Sequence, residues 1–363
     1  MWCFQQSLVA SLFALYSLAP EVAAQAVSPA LAPVSPIQQL VNAARPGATL
    51  SLPPGTYAGG LVVRRALQLN MQGVRLQGVA LGKAVLVIEG ASGPVIVNDF
   101  HADGAAAGAQ DGNLAGIRIA GRNFDVTLNR VHIRNTAMGI MTDNRGGVLR
   151  LRNSNIGDIG RGGGAQSLSH VVYAGAIDRL EIIGSLLGES HHLGHLLKSR
   201  AMSTTIEDSE LRGGDSRHSR VIDLPCGGVL SLDNVALQRS VRADNRDLIG
   251  IGLESAAGCG ARDGAASVSI ENSLLELGES PEDFAGLQTL YLFNWPAGPA
   301  ELRLRDNVLR SSGFVLRGQM AANGPAIRLG RNGIRTAAGD TGGRRSVRDN
   351  PGGAGVDPLG QDP

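Results

Sequence analysis

"LRNSNI" (Leu151–Ile156) is a unit that the chain repeats, and its recurrence decides the fold. The form is aliphatic, any residue, turn former, then Ser, Val or Asn, any residue, aliphatic. It recurs as "LNRVHI" (Leu128–Ile133), "IIGSLL" (Ile182–Leu187), "IEDSEL" (Ile206–Leu211), "LDNVAL" (Leu232–Leu237), "IENSLL" (Ile270–Leu275) and "LRDNVL" (Leu304–Leu309). Successive starts are 23, 31, 24, 26, 38 and 34 residues apart. A second register precedes the hexads: "GIRIAG" from Gly116, "GIMTDN" from Gly139, "HVVYAG" from His170, "HLLKSR" from His195, "RVIDLP" from Arg220 and "GIGLES" from Gly250.

A period of roughly 22 to 25 residues holds three short strands and three turns, and each strand pairs only with its equivalent on the neighbouring coil. The expected fold is therefore all-β, with the coils stacked as a solenoid. Helical repeats need longer units and a 3.6-residue apolar spacing, and neither is present. The third hexad position holds Arg130, Asn153, Gly184, Asp208, Asn234, Asn272 and Asp306. Most of these tolerate the left-handed backbone that a sharp corner demands. The longer steps mark loops added to a constant coil, after Gly160, Val241, Cys259 and Gly278.

The composition agrees. Fifty glycines, with aromatics at only 4%, suit many tight turns between short aliphatic strands. The 33 basic and 32 acidic side chains nearly cancel, so no nucleic-acid partner is expected. "SLVASLFALYSLA" (Ser7–Ala19) reads as the apolar core of a signal peptide, and Ala24, Gln25 and Ala26 supply a small-x-small cleavage site after Ala26. Against this, the preceding "MWCFQQ" has no Lys or Arg, and an uncleaved anchor is the alternative. After this segment no stretch is long and apolar enough to cross a bilayer. The expected organisation is a signal peptide over residues 1–26, a β-helix domain over 27–335 and a disordered tail over 336–363, where Gly, Pro, Asp and Arg replace the aliphatics. Cleavage removes Cys3 and leaves Cys226 and Cys259, to be read as a disulfide or as two buried thiols.

"SPIQQLVNAARPGATLSLPPGTYAGGLVV" (Ser35–Val63) resembles the entry to right-handed parallel β-helices of the pectate-lyase-like superfamily. The resemblance covers roughly residues 35 to 335. It implies a short helix capping the open end of the solenoid and a first coil formed by the "PGxTLxLPPGTY" segment. That superfamily includes lyases, hydrolases, epimerases, esterases and non-catalytic binding proteins, so the likeness speaks to fold rather than chemistry. "GHLLKSRA" (Gly194–Ala201) is also similar to a motif of bacterial β-helix proteins lacking an assigned activity.

Stacked coils place equivalent residues about 4.8 Å apart, so columns build sites. The second register aligns His170, His195 and Arg220 in one column, Tyr173, Lys198 and Asp223 in another, and Gly175, Arg200 and Pro225 in a third. His195 and Lys198 are three apart and would point to opposite faces of a regular strand. A bend between Leu197 and Arg200 would bring Lys198 or Arg200 to the outer surface, and the alternative is an interior Lys198–Asp223 ion pair.

These residues suit polyuronate β-elimination, which needs a base for the C5 proton, a cation for the uronate carboxylate and an acid for the leaving oxygen. Lys198 is the candidate base, its pKa lowered by the cations around it; Arg200 or Arg220 would hold the carboxylate, and Tyr173 or His170 would protonate the leaving group. The predicted catalytic set is Lys198, Arg200, Tyr173 and Asp223, with His170, His195 and Arg220 binding substrate. Lyases of the resembled superfamily use Lys or Arg as the base, although no diagnostic lyase motif is present here. The expected function is thus an exported carbohydrate-active protein, periplasmic or secreted, acting on an acidic polysaccharide, with lyase chemistry as the sharpest form. The alternative is a non-catalytic carbohydrate-binding or scaffold protein.

Other readings carry less. Asp223 and Glu254 lie on adjacent coils but one residue out of phase for a hydrolytic pair. A zinc site from His191, His192 and His195 lacks the helix that makes a four-residue spacing a ligand pair, and no metal site is assigned. The resemblance admits calcium as a cofactor, yet Asp99, Asp103 and Asp111 form no recognisable loop. Ser190 and Ser199 read as turn residues, while His101 and His132 sit singly on strands as surface or satisfied core side chains. Aromatics for sugar stacking are few, Tyr173 and Trp295 among them.

Overall fold

A computed structural model describes residues 35–104, 114–160, 168–254, 259, 266–278, 290–296 and 301–310, and the backbone of the strands Leu316–Arg317, Ala326–Leu329 and Gly333–Arg335. The expected signal peptide and tail lie outside these residues, as do most of the loops after Gly160, Cys259 and Gly278.

The chain winds as a right-handed parallel β-helix. Three all-parallel sheets of 11, 9 and 10 strands run along it, and a two-stranded sheet pairs Gly55–Ala58 with Val74–Gln77 in the first coils. Each hexad spans the corner between the 11-stranded and 9-stranded sheets: Val148–Arg152 ends the first, Asn153 turns, and Asn155–Ile156 opens the second. The hexad steps are the observed register, pairing Leu128 with Leu151, Leu151 with Ile182, Ile182 with Ile206, Ile206 with Leu232, Leu232 with Ile270 and Ile270 with Leu304. All seven corner residues have φ between 49° and 59°. Asp99, at φ 61°, makes the same corner one coil earlier in "VNDFHA", which departs from the hexad by carrying Phe100 at its fourth position.

Behind the corner, the fourth hexad position points inward and its serines replace ladder bonds that the turn interrupts. The Ser154 hydroxyl accepts from the Val131 N–H at 3.1 Å, Ser185 from the Ser154 N–H at 3.1 Å, and Ser209 from the Ser185 N–H at 3.0 Å. Leu, Ile and Val from all three sheets fill the interior as one continuous core.

The helix Pro36–Ala43 closes the N-terminal end. Ser35 caps it, accepting from the Gln38 N–H, and Pro36 occupies its first turn, where no N–H is needed. Ile37 and Val41, four apart, are buried on one face. The Gln38 side chain accepts from the Val62 N–H at 2.7 Å and donates to the Val62 carbonyl at 2.9 Å, so it blunts the first strand of the 10-stranded sheet. None of the described residues belongs to a helix long and apolar enough to cross a membrane.

Candidate functional site

The second register forms the 10-stranded sheet. Strand Leu197–Ser199 pairs with Val172–Ala174 on one side and Ile222–Leu224 on the other, so Tyr173, Lys198 and Asp223 stack in one column as the sequence implied. Two alignments need correction. Ile140 pairs with Val172, which shifts Gly139 opposite Val171 rather than His170. Asp223 pairs with Gly250 rather than Leu253, because the loop before Asp247 sets the register of strand Asp247–Ile251 and the sequence shows no signal for its length. The column headed by His170, His195 and Arg220 therefore continues to Asp247.

The bend falls earlier than expected. Leu196 and Leu197 are both fully buried, as are Val171 and Val172, and Val221 and Ile222. Two consecutive inward side chains break the alternation just before each strand, so His195 and Lys198 come to the same side. Within the strand Leu197 and Ser199 face inward, Ser199 meeting the Thr204 hydroxyl at 2.8 Å, and Lys198 faces outward. Ser199 is thus a buried strand residue, not a turn residue. Ser190 is also buried, donating to the Ser169 carbonyl.

On the outer side three cations meet three carboxylates. Lys198 Nζ lies 2.5 Å from Glu254 Oε1 and 4.0 Å from Asp223 Oδ2. Arg200 donates to Glu254 Oε2 and to the Tyr173 hydroxyl, with its guanidinium carbon 5.3 Å from the Tyr173 ring centre. Arg220 pairs with Asp247, stands 3.7 Å from Asp223 Oδ1 and donates to Asn245 Oδ1 at 3.0 Å. Pairing of this kind is what permits so many charges to be largely withdrawn from water.

Glu254 is the member that alignment of the columns set aside. It lies beyond strand Asp247–Ile251, where Gly252 donates to the Leu224 carbonyl at 2.9 Å and Glu254 to the Pro225 carbonyl at 3.4 Å. Cys226 and Cys259 form a disulfide with Cα atoms 5.2 Å apart, which ties the chain just after Glu254 to the end of the Asp223 strand.

Burial divides the two acids. Burial pushes Asp223 up to about 6, outweighing the Arg220 and Lys198 charges that pull it down, with Glu254 and Asp247 adding to the rise. Burial also raises Glu254, but hydrogen bonds from Lys198 and Arg200 win, and its pKa lies below the ordinary value.

His170 and His195 stack face to face beside this layer, with ring centres 5.2 Å apart. His170 Nδ1 accepts from the His195 N–H at 2.9 Å, and His195 Nδ1 accepts from the Arg220 N–H at 3.1 Å. Each ring therefore has its Nε2 as the protonated nitrogen, and that of His195 lies 3.5 Å from Asp223 Oδ2. Burial, with Lys198 and Arg200 nearby, drops His170 to about 3, and burial with His170 and Arg220 drops His195 well below its ordinary value. Both rings are neutral, and both are buried.

The remaining candidates fall elsewhere. His191 meets Asp158 and Glu189 instead of His195, so the three histidines do not converge. Asp99 is held by Arg130 and Asp103 accepts from Asn135, while Asp111 lies outside the described residues. Trp295 is fully buried and offers no face to a sugar. His101 and His132 are not single: they stack on adjacent coils with ring centres 6.0 Å apart.

No protein-family model matches the chain, and no curated protein matches it.

Proposed function

We propose that this is an exported protein of the pectate-lyase-like kind that binds an acidic polysaccharide on the outer face of its 10-stranded sheet. One observation carries the reading: Lys198 and Arg200 together grip a single carboxylate, that of Glu254, beside the Tyr173 ring. Glu254 belongs to the chain's own backbone excursion and keeps 31% of its side chain exposed, more than any other ionised group of the cluster. A uronate carboxylate offers the same two oxygens to the same two cations. Sugars that displace Glu254 would rest against Tyr173, and the regular coil spacing would carry a linear polymer along the sheet. The Cys226–Cys259 disulfide favours an oxidising compartment, periplasmic or extracellular.

Lyase chemistry is a second reading, favoured by Asp223. A carboxyl poised near 6 beside an ammonium is suited to proton transfer at neutral pH. Lys198, handed from Glu254 to the uronate carboxylate, then serves as its electrostatic partner and not as the base.

The experiment that tests both readings incubates the protein, freed of its N-terminal segment, with a panel of polyuronates. Binding is followed by calorimetry and unsaturated product by ultraviolet absorbance. Binding that Lys198→Met abolishes, without product, establishes the binding protein. Product that Asp223→Asn removes establishes the lyase. Absence of binding to every polyuronate refutes both.

A further inference from the structure

The nine-stranded sheet carries a second cluster, on a different face from the Lys198 site. Asp158 follows strand Asn155–Ile156 and Glu189 follows strand Leu186–Leu187, which pair in register. The bridge between Ile159 and Ser190 continues that register and makes Asp158 and Glu189 neighbours on consecutive coils. Backbone bonds lock the corner: Ile159 donates to the Glu189 carbonyl and His191 to the Ile159 carbonyl, both at 2.9 Å.

The side chains converge from this frame. His191 Nε2 lies 2.8 Å from Asp158 Oδ1 and 3.5 Å from Glu189 Oε2, and the three atoms lie within 4.8 Å of one another. Among the described residues no other group of His, Cys, Asp and Glu meets this closely. The opposite oxygens are turned away. Arg134 stands 3.5 Å from Asp158 Oδ2, and Glu189 Oε1 packs against Gly214, where a Cβ would come within 2.2 Å of it. Gly214 has φ 55°, so the backbone at that contact also favours glycine.

A first-row divalent ion with ligand bonds of about 2.1 Å has ligand-to-ligand edges near 3.0 Å when octahedral and near 3.4 Å when tetrahedral. The 3.5 Å from His191 to Glu189 lies near the tetrahedral edge, while the 2.8 Å from His191 to Asp158 is a direct hydrogen bond that would open by a few tenths of an ångström to admit the ion. One imidazole and two carboxylates suit zinc or manganese, whereas calcium and magnesium prefer oxygen donors throughout. We propose that Asp158, Glu189 and His191 bind a divalent transition-metal ion, of the class of Zn2+ or Mn2+, leaving its remaining positions to water. The ion would clamp two successive coils at a corner the backbone has already shaped.

The test uses the intact protein, stripped with a chelator and titrated with Zn2+ against a chromophoric indicator. One equivalent is expected to bind, with His191→Ala and Glu189→Gln each weakening affinity by about tenfold or more. Lys198→Met, at the other site, is expected to bind Zn2+ as the wild type does. Thermal unfolding supplies a second readout: Zn2+ raises the Tm of the wild type and leaves that of His191→Ala unmoved. Zn2+ binding that survives His191→Ala, or Ca2+ competing as well as Mn2+, overturns the assignment. Circular dichroism confirms that each variant is folded, and Glu189→Gln changes so little in size that it keeps the test decisive should His191→Ala unfold.

Discussion

Glu254 reaches the Lys198 ammonium at 2.5 Å across 56 residues of sequence, and its second oxygen is held by Arg200. An internal carboxylate seated on the cations that would receive an external one is a competitor. Replacing it with a neutral isostere removes the competition while keeping the shape. Glu254→Gln is therefore expected to raise affinity for polyuronate oligosaccharides by several-fold. Lys198→Met is expected to lower it by about tenfold or more, equivalent to about 1.4 kcal/mol. Calorimetry on both variants checks this, and a Glu254→Gln affinity at or below the wild type would count against the carboxylate-site reading.

Acid should destabilise the protein through its histidines. An unfolded chain protonates His170 and His195 below about 6.5, but the folded chain keeps His170 neutral down to about 3 and His195 well below its ordinary value. The unfolded state thus binds more protons, and stability falls as pH drops through that window by about 1.4 kcal/mol per pH unit for each group. Asp223 works the other way: its raised pKa means that the folded state holds a proton between about 4 and 6 that the unfolded state releases. Its contribution declines as pH rises through that range. Two histidines outweigh one aspartate, so denaturant midpoints are expected to fall from pH 7 to pH 5. His170→Asn keeps an acceptor for the His195 N–H and should flatten the slope, whereas Asp223→Asn should steepen it.

The solenoid was legible because its signals are local and repeated. Corner residues such as Asn153, Asp208 and Asn234 announce a left-handed backbone, and the spacing between them is the strand register itself. The column of Tyr173, Lys198 and Asp223 followed from that regularity. Glu254 did not, because it stands past the end of a strand, where a loop of arbitrary length and a cross-link set its position rather than the ladder. The inward turn of both Leu196 and Leu197 was equally hidden, since two adjacent leucines carry no period. Histidine columns were visible as residue types, but their role as neutral acceptors of the next coil's N–H depends on burial, which spacing alone does not report.

The corners themselves can be tested at Asn234, whose φ is 52° and whose side-chain amide donates to Asp208 Oδ1 at 2.7 Å. A β-branched residue in this conformation sets Cβ against the backbone. Asn234→Val is expected to destabilise the protein by about 1–2 kcal/mol from conformation alone. Asn234→Gly loses the exposed hydrogen bond but relieves the backbone, and should come within about 0.5 kcal/mol of the wild type. Denaturant unfolding of the pair distinguishes a conformational requirement from a hydrogen-bonding one, since equal losses in both would assign the effect to the side-chain bond.

The disulfide joins stability to the site. Cys226 and Cys259 are 33 residues apart, and a cross-link of that span restricts the unfolded chain by about 3–4 kcal/mol in the loop-entropy account. Asp223 stands three residues before one cysteine and Glu254 five before the other, so the same link limits how far the two acids can separate. A Cys226→Ser, Cys259→Ser double variant is expected to unfold at a lower denaturant concentration. Its Glu254 should also release Lys198 and Arg200 more readily, so that polyuronate affinity rises as it does in Glu254→Gln. Combining the double variant with Glu254→Gln separates the two effects: if the cross-link acts on binding through Glu254, it adds nothing further to affinity in that background while still lowering stability.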